Sequence, residues 1–219
     1  MDDLKKWNQD DPLRRMVEKD SGQEAFSPMD PPDAYSPPGL EALDYEDMHP
    51  YLQGLMDEHK ACTLQLDLFE AALLDMQQNG LSRKSDDALR SFFQFFDQHI
   101  SSHNRKEERV LFPLLRRRLL EYGEHSHGED RTTGVDVLED DHTKALQLAA
   151  VIFNFFGLAF RLPDAASRAV VMDAALEQGK SLVEMLRLHI FREDKVVFAQ
   201  AQRLLSQEEL EEMVRAEVS

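Results

Sequence analysis

Residues 103–113 read HNRKEERVLFP, and residues 189–198 read HIFREDKVVF. Aligned on their first residue, both stretches have a histidine, a glutamate four residues later and a second acidic residue directly after it. A helix places side chains at positions i and i+4 on one face, one turn apart. Because apolar residues such as Phe96 and Val110 continue that face, the histidine and first glutamate of each stretch are predicted to point into a core.

A second pattern is repeated in the same order. Glu58-His59 precedes the first stretch, and Asp141-His142 precedes the second. This order indicates a duplicated helical hairpin, in which each core helix supplies one histidine. In each hairpin the two histidines lie at similar distances, roughly 30 Å, from the connecting turn. The residues predicted to meet in one layer are His59, His103, Glu107, His142, His189 and Glu193.

The helix boundaries are predicted from proline in a first turn, from serine, threonine or aspartate at an N-cap, and from glycine after a last turn. Short connections make consecutive helices antiparallel neighbours. The predicted fold class is therefore all-α, an antiparallel up-down-up-down four-helix bundle with a short C-terminal helix and a Pro-rich N-terminal extension. The predicted helices run from Pro50 to about Gln78, from Ser82 or Ser85 to Tyr122 with a kink at Pro113, from Thr132 or Thr133 to before Pro163, from Asp164 to about Leu204, and onward from Ser206. Ser206 and Glu209 are predicted to form a capping box at the start of the last helix.

The domain organisation follows from a change in composition near the first helix. Residues 1–47 form an N-terminal extension, predicted to be largely extended or disordered because five prolines fall between Ser27 and Gly39. A short helix at 11–19 and a docking peptide anchored by Trp7 are alternatives within it. The bundle is assigned to residues 48–204 and the short last helix to 205–219.

Composition excludes some classes of partner. The 219 residues carry a formal net charge of −17, which argues against binding to nucleic acid or to an anionic membrane surface. Cys62 is the single cysteine, so an intrachain disulfide cannot form and a reducing compartment is expected. The N-terminus lacks the pattern of a signal peptide, and no apolar run is long enough to cross a bilayer. The sequence thus predicts a cytoplasmic protein.

Four histidines and two glutamates in one core layer have two interpretations. They could form a buried polar network, but every member would then need a partner, and half-satisfied networks are costly. They could instead bind metal, because imidazole and carboxylate together suit iron, manganese or zinc. Six ligands exceed the four of a structural zinc site and suit two metal ions bridged by Glu107 and Glu193.

The duplicated His…HxxxE pattern, with Leu111-Phe112-Pro113 after its first copy, resembles the hemerythrin-like HHE cation-binding domain over about residues 48–204. The resemblance implies a four-helix bundle with an oxo- or hydroxo-bridged di-iron centre that meets a small diatomic or peroxide ligand; manganese or zinc could substitute for iron. Oxygen-carrying members have a second histidine four residues from the one on the third helix, where this chain has Leu138 and Leu146. They also use HxxxxD on the last helix, a spacing that Asp194 keeps. Asp194 is therefore an additional candidate ligand. His99, one turn before His103 on the same helical face, is another, or it lines a channel or supports the ligands from outside.

The missing histidine argues against reversible oxygen carriage and leaves three functional hypotheses. The first is a non-haem di-iron protein that binds or reduces dioxygen, nitric oxide or peroxide. The second is an iron donor for the repair of iron–sulfur clusters. The third is a metal- or redox-state sensor that signals to a protein partner through residues 1–47. Whether the protein is an enzyme is left open by the sequence.

Overall fold

The computed structural model describes residues 43–126 and 131–217, and every regular element in these ranges is helical. Four long helices are followed by a short fifth, and a 3₁₀ turn at Tyr45–Asp47 precedes the first. The helix bounds are α1 Pro50–Asn79, α2 83–122, α3 Gly134–Ala159, α4 165–204 and α5 Gln207–Glu217. The prediction of an all-helical fold is confirmed for these residues.

The ends of the helices follow from local capping chemistry. Pro50 occupies the first turn of α1, and Gly80 after its last residue has φ 77°, a conformation that favours glycine. The Asp164 side chain accepts a 2.7 Å hydrogen bond from the backbone N–H of Ser167 at the start of α4. Ser206 and Glu209 form the predicted capping box, because each side chain accepts from the other residue's backbone N–H.

Two long helices contain π-helical turns, in which a backbone N–H bonds to the carbonyl five residues earlier. In α2 these turns are Phe96–Ile100 and Glu107–Leu111, and in α4 the turn is Glu193–Val197. Two of the turns therefore begin at the matching glutamates of the sequence repeat. The kink predicted at Pro113 stays a prediction, and the π turn Glu107–Leu111 lies directly before this proline. Such a turn does not require proline, since α4 has one at the matching position without it.

The core consists of two apolar clusters separated along each long helix by a polar layer. The residues of one cluster follow His59 in α1 and precede His103 in α2. The residues of the other cluster precede His59 in α1 and follow His103 in α2. The same alternation is found in α3 around His142 and in α4 around His189. It is the arrangement expected for an up-down-up-down bundle, which stays a prediction.

Several predictions fall on other parts of the chain. The proposed helix at 11–19 and the Trp7 anchor lie outside the described residues, and the domain boundaries stay predictions. Among the described helices, none has a stretch long and apolar enough to cross a membrane.

Candidate metal centre

The polar layer brings together the six side chains predicted from the repeat. All six are buried, and Glu107 and Glu193 have no exposed surface at all. The Nε2 atoms of His59 and His103 lie 3.0 Å apart, and those of His142 and His189 lie 3.1 Å apart. The histidines therefore form two pairs, one from each copy of the repeat.

Each glutamate reaches imidazoles of both pairs. Glu193 Oε2 lies 3.1 Å from His59 Nε2, and Glu193 Oε1 lies 3.1 Å from His189 Nε2. Glu107 Oε2 lies 3.4 Å from His103 Nε2 and 3.5 Å from His142 Nε2. Each glutamate thus contacts one imidazole from each copy of the repeat.

The outward nitrogens of the same rings face carboxylates at the edge of the layer. His103 Nδ1 lies 2.7 Å from Glu58 and His59 Nδ1 lies 2.7 Å from Asp194. His142 Nδ1 lies 2.8 Å from Glu108. The fourth contact is longer, because His189 Nδ1 is 3.6 Å from an Asp141 oxygen that also accepts a 2.8 Å hydrogen bond from Arg192.

These outer contacts determine which nitrogen of each ring carries the proton and which one faces inward as an acceptor. A carboxylate accepts hydrogen bonds, so Nδ1 of His59, His103 and His142 must carry the proton, and Nε2 of the neutral ring then presents a lone pair. While these rings are neutral, the oxygens of Glu107 and Glu193 also lack a hydrogen-bond donor, because the nitrogens beside them are the unprotonated Nε2 atoms. Acceptors that converge in a buried space repel each other unless cations lie between them. The donor set therefore fits metal ions, and one atom of each of His59, His103, Glu107 and Glu193 lies within 4.8 Å of the others.

The contacts of the four outer carboxylates follow the same pattern in both copies of the repeat. Glu58 and His103 belong to the same hairpin, as do Asp141 and His189. In contrast, Glu108 of α2 contacts His142 of α3, and Asp194 of α4 contacts His59 of α1. The second acid of each repeated stretch thus joins one half of the site to the other.

Two phenylalanine rings also contact histidines of the other hairpin. Phe112 of α2 stacks on His142 at 5.8 Å, and Phe198 of α4 stacks on His59 at 5.6 Å. Both phenylalanines follow a π turn, which sets them beside an imidazole of the other hairpin. Each of these two histidines is therefore held by a carboxylate and a ring from the same neighbouring helix.

When no metal is bound, protons compensate the negative charge of the layer. Burial alone would lower the pKa of His59, but Asp194 and Glu193 outweigh it and raise that pKa to about 10. Burial also opposes protonation of His103 and His189, yet nearby carboxylates raise their pKa values to about 9 and about 10. Burial would raise the pKa of Glu193, but His189 and His59 hold it well below its usual range. Metal ions must therefore displace protons.

Other candidate residues lie outside this cluster. The exposed side chain of His99 stacks on Phe95 at 4.7 Å, so the structure does not bring it to the ligand layer. Asp194 faces the outer nitrogen of His59 and not the inner acceptors. Burial raises the pKa of the Cys62 thiol to about 12, which keeps it protonated at neutral pH and disfavours it as a thiolate ligand.

A cavity of about 210 Å³ gives access to one side of the layer. Its wall includes three of the histidines, His59, His103 and His189, together with apolar side chains such as Leu186 and Ile190. A larger polar groove of about 490 Å³ reaches His142 between α2 and α3 and includes Glu108. The two openings thus differ in polarity and lead to different parts of the centre.

Sequence reasoning did not assign a role to Glu58 and Asp141. Both immediately precede a candidate ligand histidine, and both are present at the same place in each copy of the repeat. Each contacts the histidine of the neighbouring helix, a partner that only the packing of two helices identifies. Glu108 and Asp194 likewise contact imidazoles, in their case those of the other hairpin.

Removing an outer carboxylate is expected to weaken metal binding without changing the number of ions held at saturation. Loss of such a partner typically lowers metal affinity about 10–100-fold, because the ring loses its orientation and basicity. We expect this result for Glu108→Gln and for Asp194→Asn, measured by metal titration against a competing chelator. Glu139→Gln, which changes an acid on α3 that forms an ion pair with Arg116, is the control. An unchanged affinity in both variants would contradict this role.

The comparison with protein families agrees with the repeat and with the geometry. Residues 51–201 match the family described as hemerythrin HHE cation binding domain. No curated protein and no solved structure matches the chain significantly. The match covers more than half of the sequence and includes all six clustered side chains. The chain therefore belongs to the hemerythrin HHE cation-binding domain family.

Proposed function

We propose that the six clustered residues bind two iron ions and that the protein binds or reduces a small oxidant there. The observation that carries the proposal is the convergence of four imidazole nitrogens with two buried glutamates whose oxygens lack donors. Iron fits this mixture of nitrogen and oxygen ligands, and manganese and zinc are substitutes. When bound, a di-iron centre would supply electron transfer and a site for dioxygen, nitric oxide or peroxide.

The residues around the centre support this function in separate ways. The outer carboxylates orient the imidazoles, while the apolar clusters on both sides limit access of water. The cavity beside His59, His103 and His189 offers a route for a small ligand, and its apolar wall favours uncharged molecules. Cys62 and Leu186 contribute to that wall.

The direct test is metal analysis of protein purified from cells supplied with iron. The proposal expects two iron ions per chain and a near-ultraviolet absorption band of a bridged centre after exposure to air. Protein loaded with iron should then react with peroxide or nitric oxide in stopped-flow absorption measurements. Less than one iron per chain after anaerobic reconstitution with ferrous iron would reject the proposal.

Narrowing the cavity is expected to slow this reaction without removing iron. Cys62→Leu replaces the sulfur by three carbon atoms in the cavity wall, one helical turn from His59, so a ligand has less space to approach. We expect about a tenfold lower rate of reaction with peroxide, equivalent to about 1.4 kcal/mol in the barrier. Cys62→Ser keeps the size of the side chain and is the control. Equal rates in both variants would mean that the ligand does not use this cavity.

Release of iron to damaged iron–sulfur clusters is a second candidate function. The polar groove that reaches His142 favours it, because Glu108 there is 43% exposed and contacts the ring directly. An exposed carboxylate beside a buried imidazole offers a leaving ion a first ligand on the solvent side. Rapid transfer of iron to a weak chelator after reduction would support this role. Retention of iron through many turnovers with peroxide would favour oxidant reduction.

A further inference from the structure

One face of α3 is exposed and lacks charge. Residues 145–160 contain no charged side chain, although 31% of the whole chain is charged. Three large apolar residues on this face are largely exposed, namely Leu146 at 61%, Phe153 at 62% and Phe160 at 52%. Contiguous apolar surface of this kind usually marks an interaction site.

The spacing along this face is that of a coiled-coil seam. Leu146, Phe153 and Phe160 recur every seven residues, and Thr143, Ala150 and Gly157 fall between them, also seven apart. All six are exposed. Large and small residues therefore alternate at the spacing with which two helices pack side by side. We refer to these six residues as the α3 seam.

An antiparallel copy of the same seam complements it in size. With a two-fold axis midway between Ala150 and Phe153, Leu146 of one copy faces Gly157 of the other, and Phe153 faces Ala150. Phe160 likewise faces Thr143. The space at Gly157 is open, since no atom beyond its chain neighbours and the adjacent helix backbone lies within 4 Å of where a Cβ would be. Each large side chain thus meets a small one, as an isologous interface requires.

Polar residues beside the seam match under the same symmetry. Asp140 and Arg161 flank its two ends, and Gln147 and Asn154 flank its middle; all four are exposed. Two-fold symmetry brings Asp140 of one copy next to Arg161 of the other, and Gln147 next to Asn154. Arg161 forms no ion pair with any residue in the described ranges. A parallel arrangement would instead place Phe153 against Phe153 and Arg161 against Arg161.

From the matched sizes and charges we infer that the protein forms a homodimer in which the α3 seams of two copies pack antiparallel. The partner is a second copy of this chain and not an unrelated protein, because the surface complements itself in both respects. The interface borders the polar groove between α2 and α3, because Thr143 and Leu146 line that groove and Phe153 contacts Phe93 of α2 at 5.5 Å. None of the six clustered residues belongs to the seam, so each metal centre keeps its own ligands.

Sedimentation velocity of the full chain over a concentration series tests this inference. Wild type is expected to be a dimer. Phe153→Glu should raise the dissociation constant at least about a hundredfold, because it removes a central aromatic contact and buries a charge twice. Val170→Glu is the matched control, since Val170 is 71% exposed on α4 and lies outside the seam. A monomeric wild type, or a Phe153→Glu variant that dimerises normally, would overturn the inference.

A charge exchange tests the antiparallel register without placing a charge in the apolar seam. Asp140→Arg and Arg161→Asp should each raise the dissociation constant about tenfold, since both copies of the pair become repulsive. The double variant should recover most of the loss. Cysteines at Gln147 and Asn154 should form a disulfide between chains with diamide when both are present, and neither alone should do so. Crosslinking by the single variants, or no recovery in the charge exchange, would reject this arrangement.

Discussion

Replacing Glu193 with glutamine is expected to remove at least one of two bound metal ions. The substitution preserves the size of the side chain but removes a charge that lies 3.1 Å from both His59 and His189. The metal-free protein should also lose about 3–5 kcal/mol of unfolding free energy, because the charged imidazoles keep their burial and lose a counter-charge. Metal content after equilibrium dialysis and urea unfolding of chelator-treated protein measure the two effects. Glu107→Gln should behave in the same way.

Asp194→Asn is the comparison that identifies the carboxylate ligand on α4. Asp194 has the spacing from His189 that oxygen-carrying relatives use, yet its carboxylate contacts the outer nitrogen of His59. We therefore expect Asp194→Asn to retain both ions at saturating metal. If it lost an ion while Glu193→Gln retained both, Asp194 would be the ligand and the centre would be closer to the oxygen-carrying type.

The six clustered residues could be predicted from the sequence because they occur in an internal repeat. His103 with Glu107, and His189 with Glu193, share a helical face and recur in the same order as His59 and His142. A helical period and a duplication suffice to place such residues in one layer. The all-helical fold, the capping box at Ser206 and the family resemblance were predicted on equally local grounds, and each is confirmed.

The outer contacts could not be predicted in this way. At i+5 from its histidine, Glu108 is rotated about 100° away from the ligand face, so its partner depends on which helix packs there. That partner is His142, from the other hairpin. The π turns pose a similar problem, because sequence reasoning attributed an irregularity only to Pro113, whereas Glu193–Val197 is irregular without proline. Interactions between helices, and not local preferences, determine these features.

The same packing explains why His99 lines the access cavity and lies outside the inner cluster. It lies one turn before His103 in the sequence, which places it on the same face of a regular helix. The π turn at Phe96–Ile100 intervenes, and the ring stacks on Phe95 at the surface. A change of hydrogen-bond spacing within one turn thus removes a residue from the ligand layer, and sequence periodicity alone does not reveal it.

Between pH 6.5 and 10, stability is expected to fall without metal and not to fall with metal. A histidine has an ordinary pKa of about 6.5, whereas the pKa values of His59, His103 and His189 are raised to about 10, 9 and 10. Their contribution to stability is fully present below the ordinary value and is lost as the pH rises through the raised values. Chelator-treated protein should therefore become less stable between pH 6.5 and 10. Metal binding requires deprotonated rings, so metal-loaded protein should be as stable or more stable over this range.

At acidic pH the stability is expected to change in the opposite direction, so that it falls as the pH is lowered. The lowered pKa of Glu193 contributes stability above the ordinary carboxyl value, and this contribution is lost as the pH falls through the lowered one. Urea unfolding at a series of pH values, with and without chelator, measures both the acidic and the alkaline loss of stability. Glu193→Gln should show a shallower alkaline loss than wild type, because His59 and His189 lose the carboxylate that favours their protonation. An equal alkaline slope in the variant would mean that this loss arises elsewhere in the protein. A similar decline in metal-loaded wild type would mean that metal does not replace protons between these side chains.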